Sequence, residues 1–183
     1  MAEAARILVV FAHPAVERAR INPSLLDAAA AVPGVAIRDL YELYPDFTVD
    51  VGAEQAALAE ARLVVLQFPL YWFAAPALLK EWTDQVLTRG FAYGPGGAAL
   101  AGKGLLCAVS TGADEAGFRP RGPFGARVEA YLAPFQQTAR VCGMDWLDPF
   151  VVHAAAVAGD GELAAAAARY RARLQGLATQ AGR

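Results

Sequence analysis

A chain of 183 residues is long enough to bury one sizeable core and calls for no second, so residues 1–183 are read as a single domain. Lys and Arg total 16 against 18 Asp and Glu, a formal charge of −2 without long charged runs, which argues against a nucleic-acid partner. Hydrophobic residues reach 56%, yet much of the excess is alanine, and no apolar run approaches the roughly 20 residues of a membrane span.

Residues 6–11 (RILVVF) form a short apolar run ending in His13-Pro14 and predict a buried first strand. Asn22-Pro23 is a good helix start, since Asn accepts from free backbone N–H groups and proline suits the first turn. Leu25, Leu26, Ala29 and Val32 then share one face, and Pro33-Gly34 stops the helix. Residues 35–40 predict the second strand, 41–51 an irregular stretch turning at Pro45-Asp46, and 52–61 a helix. The third strand is 63–68. Pro76 suits the first turn of the next helix, whose apolar face is Leu78, Leu79, Trp82 and Val86, and Gly90 can close it.

Glycines and Pro95 predict a loop over 91–102, in which Gly94, Gly96 and Gly97 read as a turn. Residues 104–109 (GLLCAV) are the fourth strand, emptying into 110–115. A helix over 125–141 follows, kinked or broken at Pro134. Residues 145–153 supply a fifth strand, and Asp160 caps a last helix with Leu163, Ala167, Tyr170, Leu174 and Leu177 on one face. Five strands alternating with helices indicate an α/β, doubly wound parallel sheet with helices on both faces.

Right-handed crossovers bring the carboxyl ends of parallel strands to one edge, where open α/β sheets bind ligands. Three loops meet there. The first, 13–22, carries Arg18 and Arg20 and opens a helix whose unpaired N–H groups favour an anion such as a phosphate; an exposed surface pair is the alternative for these arginines. The second, Pro69-Leu70-Tyr71-Trp72-Phe73, offers a stiff apolar wall to a flat ligand, with simple core packing as the alternative. The third offers the hydroxyls of Ser110 and Thr111 beside Gly112. A cofactor with a phosphate tail and a flat head fits this set, and flavin mononucleotide has that shape. No Gly-x-Gly-x-x-Gly follows the first strand, which disfavours a Rossmann dinucleotide site.

The run QFPLYWFAAPALLKEWTDQVLTRGFAYG (67–94), with AHP (12–14), an Asn nine residues after that His, LYELYPDF (40–47) and STGADE (110–115), resembles the flavodoxin-like NAD(P)H:quinone oxidoreductases. Within them it most resembles the ancillary flavoproteins of the glutathione-gated potassium efflux systems. The resemblance implies a sheet of order 2-1-3-4-5, bound FMN with FAD as the alternative, NAD(P)H as reductant, a quinone-like acceptor, a homodimer and a membrane transporter as partner. It places His13, Ala19, Arg20, Ile21 and Asn22 on the phosphate side of the flavin. Pro69, Leu70, Tyr71, Trp72 and Phe73 fall along the ring, with Ser110, Thr111, Gly112 and Ala113 in the second ring-side loop. Departures are Ala19, where serine is common, Tyr71, where glutamine is common, and Ala113 and Asp114, where glycine is usual.

Hydride transfer of this kind requires stacking and orientation rather than a side-chain nucleophile. Trp72 and Phe73 are accordingly expected to act by positioning and by backbone donors. Phe118 stands near the position of a tyrosine used by some quinone reductases, and His153 is read as a core or rim histidine. A regulatory subunit that docks on an efflux transporter is the alternative to an enzyme. A one-electron carrier is disfavoured by the mild charge. Residues 91–97 and Trp146 are candidates for an apolar dimer surface. Cys107 and Cys142 lie in apolar surroundings without metal-ligand spacing, and no metal site is expected; buried free thiols and the absence of a signal-like apolar core suggest the cytoplasm, with attachment to the inner membrane face through a transporter.

Overall fold

The computed structural model describes residues 7–181, so Arg6, the first residue of the predicted first strand, lies outside them. Strand β1 (Ile7–Phe11) is followed by a single 3-10 turn (Val16–Arg18), α1 (Ile21–Ala30) and β2 (Val35–Asp39). Next come α2 (Leu40–Leu43), α3 (Val51–Glu60), β3 (Leu63–Pro69), α4 (Ala77–Val86) and β4 (Gly104–Ser110). The carboxyl-terminal part holds α5 (Val128–Tyr131), α6 (Ala133–Val141), β5 (Asp145–Trp146), β6 (Phe150–Val152) and α7 (Asp160–Ala181). The strands form one parallel sheet of order β2-β1-β3-β4-β5, with β6 also paired to β4.

Every residue of β1 and β3 is buried. Both faces of the sheet are covered, which is why these strands read as unbroken apolar runs instead of alternating ones. Leu8, Val10 and Ala12 point into the core shared with α3, α4 and α6, where Leu58, Leu78, Trp82 and Ala139 pack. Ile7, Val9 and Phe11 point the other way, onto Leu25 and Ala29 of α1 and Tyr170 and Leu174 of α7.

Several local expectations are corrected. Asn22 does not cap α1; Arg20 occupies the cap position and the Asn22 side chain crosses to Ser110. Strand β2 stops at Asp39, whose carboxylate accepts from the Tyr41 and Glu42 N–H groups and starts α2 inside the stretch expected to be irregular. Helix α4 ends at Val86, four residues before Gly90, and Pro76 stands just ahead of its first turn. The helix expected over 125–141 is two, α5 and α6, with Pro134 in the first turn of the second.

The fifth strand is split as well. From Leu105 to Ala108 the β4 side advances three residues, whereas from Trp146 to Phe150 its neighbour advances four. The extra residue falls beside Pro149, which has no N–H to give the ladder, so pairing lapses there and resumes at β6. The glycine cluster at 94–97 is the turn expected of it: Gly97 N–H donates to the Gly94 carbonyl at 2.9 Å, and a Cβ at Gly97 would lie 2.1 Å from the Tyr93 carbonyl oxygen.

One buried charge ties the outer layer to the edge strand. Glu54 is fully buried; its carboxylate accepts from Arg38 Nε at 2.8 Å and from Arg38 Nη2, from the Tyr44 hydroxyl at 2.6 Å and from Trp82 Nε1 at 2.8 Å. Arg38, Trp82 and Glu54 lie in β2, α4 and α3, so one carboxylate fastens three elements.

Candidate functional site

The loops after β1, β3 and β4 converge on a cavity of about 300 Å³. Among the residues singled out from sequence, His13, Arg18, Ala19, Arg20, Ile21, Asn22, Pro69, Leu70, Tyr71, Ser110, Thr111 and Gly112 line it. Trp72, Phe73 and Ala113 do not. Ala15, Ala155 and Ala156 complete the wall, and residue type gave no means of singling them out, because an alanine carries no functional group.

The phosphate-side loop leads into α1, whose first N–H groups, at Ile21 and Asn22, have no intrahelical acceptor. Arg20 lies at this edge but sends its guanidinium to the start of α7, with Nη1 donating to the Ala158 carbonyl at 3.1 Å and Nη2 meeting the Asp160 carboxylate. Asp160, expected as a cap, is thus the partner of Arg20.

A buried polar chain supports the cavity from below. The Tyr170 hydroxyl donates to Gln67 Oε1 at 3.0 Å, Gln67 Nε2 donates to the Asn22 carbonyl at 3.1 Å, and Asn22 Nδ2 donates to Ser110 Oγ at 2.9 Å. Gln67 and Tyr170 are each fully buried and join β3 and α7 to the start of α1. Asn22 is 2% exposed, yet its Oδ1 has no hydrogen-bond partner. Buried acceptors without partners are rare and costly, so this atom marks where a donor belongs. The Ser110 hydroxyl, already an acceptor from Asn22, keeps its own proton to donate.

In the aromatic loop Trp72 and Phe73 both adopt left-handed backbone, with φ of 48° and 63°. Such conformations are uncommon for bulky residues and cluster at binding loops. The Ala74 N–H donates to the Tyr71 carbonyl at 3.0 Å and closes the turn. Trp72 is 93% exposed, and Phe73 packs on Phe124 and Tyr131 with ring centroids 5.3 and 5.1 Å away. Their side chains therefore do not form the wall of the cavity. Among the described residues no acceptor meets the N–H groups of Trp72, Phe73, Gly112 or Ala113. The wall on this side is Tyr71, whose hydroxyl lies 3.4 Å from His13 Nε2 with the rings edge to face.

The third loop is held from behind by a histidine. The Thr111 hydroxyl donates to the Ala113 carbonyl at 2.8 Å, which leaves its oxygen to accept, so the 3.0 Å contact with His153 Nδ1 places the imidazole proton on Nδ1. His153 also packs against Phe118, and Phe118 against Phe124 and Tyr131. These three rings join the cluster that carries Phe73, so they are packing residues of the loop. His13 differs in its tautomer: Nδ1 accepts from the Ala15 N–H at 3.2 Å, which puts the neutral ring's proton on Nε2.

Burial lowers the pKa of His13, with Glu17 opposing, and that of His153, with Glu115, Glu129 and Asp114 opposing. Both rings titrate below the ordinary value of 6.5 when folded and near it when unfolded. Between those limits the unfolded chain binds more protons, so stability is full above 6.5 and falls as the pH is lowered toward the folded pKa values. Urea midpoints measured from pH 8 to pH 5 are expected to decline through this window, with a shallower decline in His13→Gln. A midpoint that rises on acidification would contradict the burial of both rings.

Among the described residues no helix is long and apolar enough to cross a membrane, and no group of His, Cys, Asp and Glu is placed to hold a metal. Cys107 and Cys142 are free and buried.

Comparison with known proteins agrees with this geometry. A family described as having a flavodoxin-like fold matches residues 5–174. A glutathione-regulated potassium-efflux system ancillary protein, KefF, of Klebsiella aerogenes is 49% identical over 168 residues, which cover 92% of this chain and 94% of that protein. The structure of general stress protein 14 from Treponema denticola, solved in complex with FMN, is 38% identical with a TM-score of 0.90, covering 94% of this chain and 99% of that one. An NADPH-quinone reductase structure from P. pentosaceus is 30% identical with a TM-score of 0.84, covering 92% and 96% of the two chains.

Proposed function

The chain belongs to the flavodoxin-like fold family, and from that premise we propose that it is a single-domain FMN-dependent NAD(P)H:quinone oxidoreductase, with Asn22 Oδ1, the buried acceptor that lacks a donor inside the site cavity, as the observation that carries the reading. A polyhydroxylated chain such as a flavin's ribityl group brings donors of the kind this atom lacks, and the free Ser110 proton serves its acceptors. The first-turn N–H groups of Ile21 and Asn22 suit the phosphate, as helix starts do generally. Arg18 adds positive charge on the same side. His13, Ala19, Pro69, Leu70, Tyr71 and Thr111 give the cavity its shape.

FMN, when bound, supplies the centre that takes a hydride from NAD(P)H and passes an electron pair to the acceptor. The chain's part is to bind, orient and stabilise charge. The unengaged N–H groups of Trp72, Phe73, Gly112 and Ala113, in the two loops beside the cavity, would serve as donors where negative charge develops, and fixed donors of this type act without reorganisation. The left-handed backbone at Trp72 and Phe73 is the local cost of presenting two successive N–H groups. Ala113 and Asp114, where glycine is usual, keep the loop stiffer. The acceptor is a quinone or similar electrophile, as supported by the likeness to the P. pentosaceus reductase.

Purified protein should show the flavin absorbance bands, bleach with NAD(P)H and recover with a quinone. A flavin-loaded protein that NAD(P)H fails to bleach would overturn the reading.

A second reading is favoured by the KefF relative: the chain also serves as the ancillary subunit of a potassium efflux transporter, held at the inner face of the membrane from the cytoplasm. Exposed Trp72, Tyr71, Phe73 and Tyr93 give it an apolar surface suited to a second copy of the chain. Co-expression with a transporter partner, with efflux measured in the presence and absence of this chain, tests the regulatory role; unchanged efflux counts against it.

A further inference from the structure

The outer rim of the cavity carries a contact that binding a mononucleotide does not require. Arg20 lines the cavity and reaches across to the segment before α7, where Nη1 donates to the Ala158 carbonyl at 3.1 Å and Nη2 meets the carboxylate of Asp160. Ala155 and Ala156, just upstream, form the cavity wall on the same side.

Asp160 is free for this contact because another residue does its capping. The Leu163 N–H donates to the Gly159 carbonyl at 3.0 Å, which makes Gly159 the cap position, and the Glu162 side chain reaches back to accept from the Gly159 N–H at 2.8 Å. That is the returning half of a capping box. Asp160 therefore lies inside the first turn and not at the cap, and its carboxylate has Arg20 as its partner. The pair is solvent-exposed, with side chains 56% and 94% accessible, and exposed pairs add little to stability. Its consequence lies in what it obstructs.

We propose that the Arg20–Asp160 clasp is a specificity device that closes the rim to an adenylate extension and so makes the site select FMN over FAD. The inference rests on the flavin reading above. An adenylate extension from a phosphate held at the start of α1 would have to cross this rim, which Arg20 bridges to Ala158 and Asp160. An extension crossing it has to displace the bridge and then meets the Asp160 carboxylate, of like charge to a second phosphate. Obstruction and charge repulsion directed against the wrong ligand are ordinary routes to selectivity.

The test is equilibrium binding of FMN and of FAD to the full-length apoprotein, followed by quenching of flavin fluorescence, in the wild type, Arg20→Ala, Asp160→Ala and Asp160→Asn. The wild type is expected to prefer FMN by at least about tenfold, equal to ~1.4 kcal/mol. Asp160→Ala should cut that ratio severalfold through tighter FAD binding; Asp160→Asn, which keeps a hydrogen-bond acceptor without the charge, should cut it less, as should Arg20→Ala, which removes the bridge but leaves the carboxylate unpaired. Glu162→Gln weakens the helix cap without touching the clasp and should leave the ratio unchanged. Equal wild-type affinities for the two flavins, or a ratio unmoved in both alanine variants, would overturn the clasp while leaving the flavin site standing. A wild type that binds neither flavin would overturn the flavin reading itself.

Discussion

Replacing Asn22 with leucine is expected to weaken FMN binding by about 10- to 100-fold while leaving the apoprotein as stable as before, or more so. The two signs differ because the side chain does two things. Its Oδ1 is buried without a partner, a state that costs a folded protein about 1–3 kcal/mol until a ligand donor satisfies it. Leucine removes that debt from the apoprotein and removes the acceptor from the site. The same 1–3 kcal/mol, lost from binding, corresponds to the stated loss of affinity at ~1.4 kcal/mol per tenfold. The Gln67 bond is retained, since Gln67 Nε2 donates to the backbone carbonyl of Asn22. The Asn22 to Ser110 bond is lost, and a Ser110→Ala variant measures that part separately. Titration with FMN and urea unfolding of the apoprotein check the two halves. Unchanged affinity would show that Oδ1 does not meet the cofactor, and a large loss of apoprotein stability would show that the Ser110 bond is mainly structural.

Glu54→Ala is expected to lower the unfolding free energy by about 3–5 kcal/mol, the range for removing one partner of a buried ion pair. Four donor contacts from three side chains end on this carboxylate. Without it the Trp82 indole N–H, in a side chain 2% exposed, and the Tyr44 hydroxyl, in one 6% exposed, are left in the core with no acceptor. Arg38 keeps 26% of its side chain accessible, so its charge can find water, which places the effect toward the lower end. Tyr44→Phe removes the bond donated to Glu54 at 2.6 Å and the one accepted from Arg38 Nη2 at 3.1 Å, and should cost about 1–2 kcal/mol. Chemical denaturation of the two variants tests the order. A Glu54→Ala loss no greater than that of Tyr44→Phe would mean that the network relaxes around the missing carboxylate.

Legibility from sequence followed the physical range of each signal. The strands were readable because burial on both faces makes an apolar run, and a run is local. Helix α4 was readable because its one-sided apolar face, Leu78, Leu79, Trp82 and Val86, repeats with the helix turn. The split between β5 and β6 was not, since it depends on one extra residue measured against β4, a strand some forty residues away. Asn22 and Asp160 show the same limit. Each has the residue type of a helix cap beside a helix start, and each bonds instead across the chain, to Ser110 and to Arg20. The aromatic loop was correctly placed at the sheet edge, but of its three rings only Tyr71 lines the cavity, since Trp72 is 93% exposed and Phe73 packs on Phe124 and Tyr131.

Composition, periodicity and the order of apolar runs were by themselves enough to determine the α/β class and to bring the loops after β1, β3 and β4 to one edge, because parallel strands with right-handed crossovers leave no other arrangement. The motifs within those loops sufficed for the family resemblance. Only the tertiary structure decided which side chains meet in the cavity: that Asn22 lines it and carries a buried oxygen without a partner, that Trp72 and Phe73 stay out of it, that three alanines complete the wall, and that Arg20 bridges its rim to Asp160. The reason is physical. A residue's type and its near neighbours set which backbone it favours, whereas a partner across the cavity is chosen by packing that joins distant segments, 88 residues apart for Asn22 and Ser110 and 140 for Arg20 and Asp160.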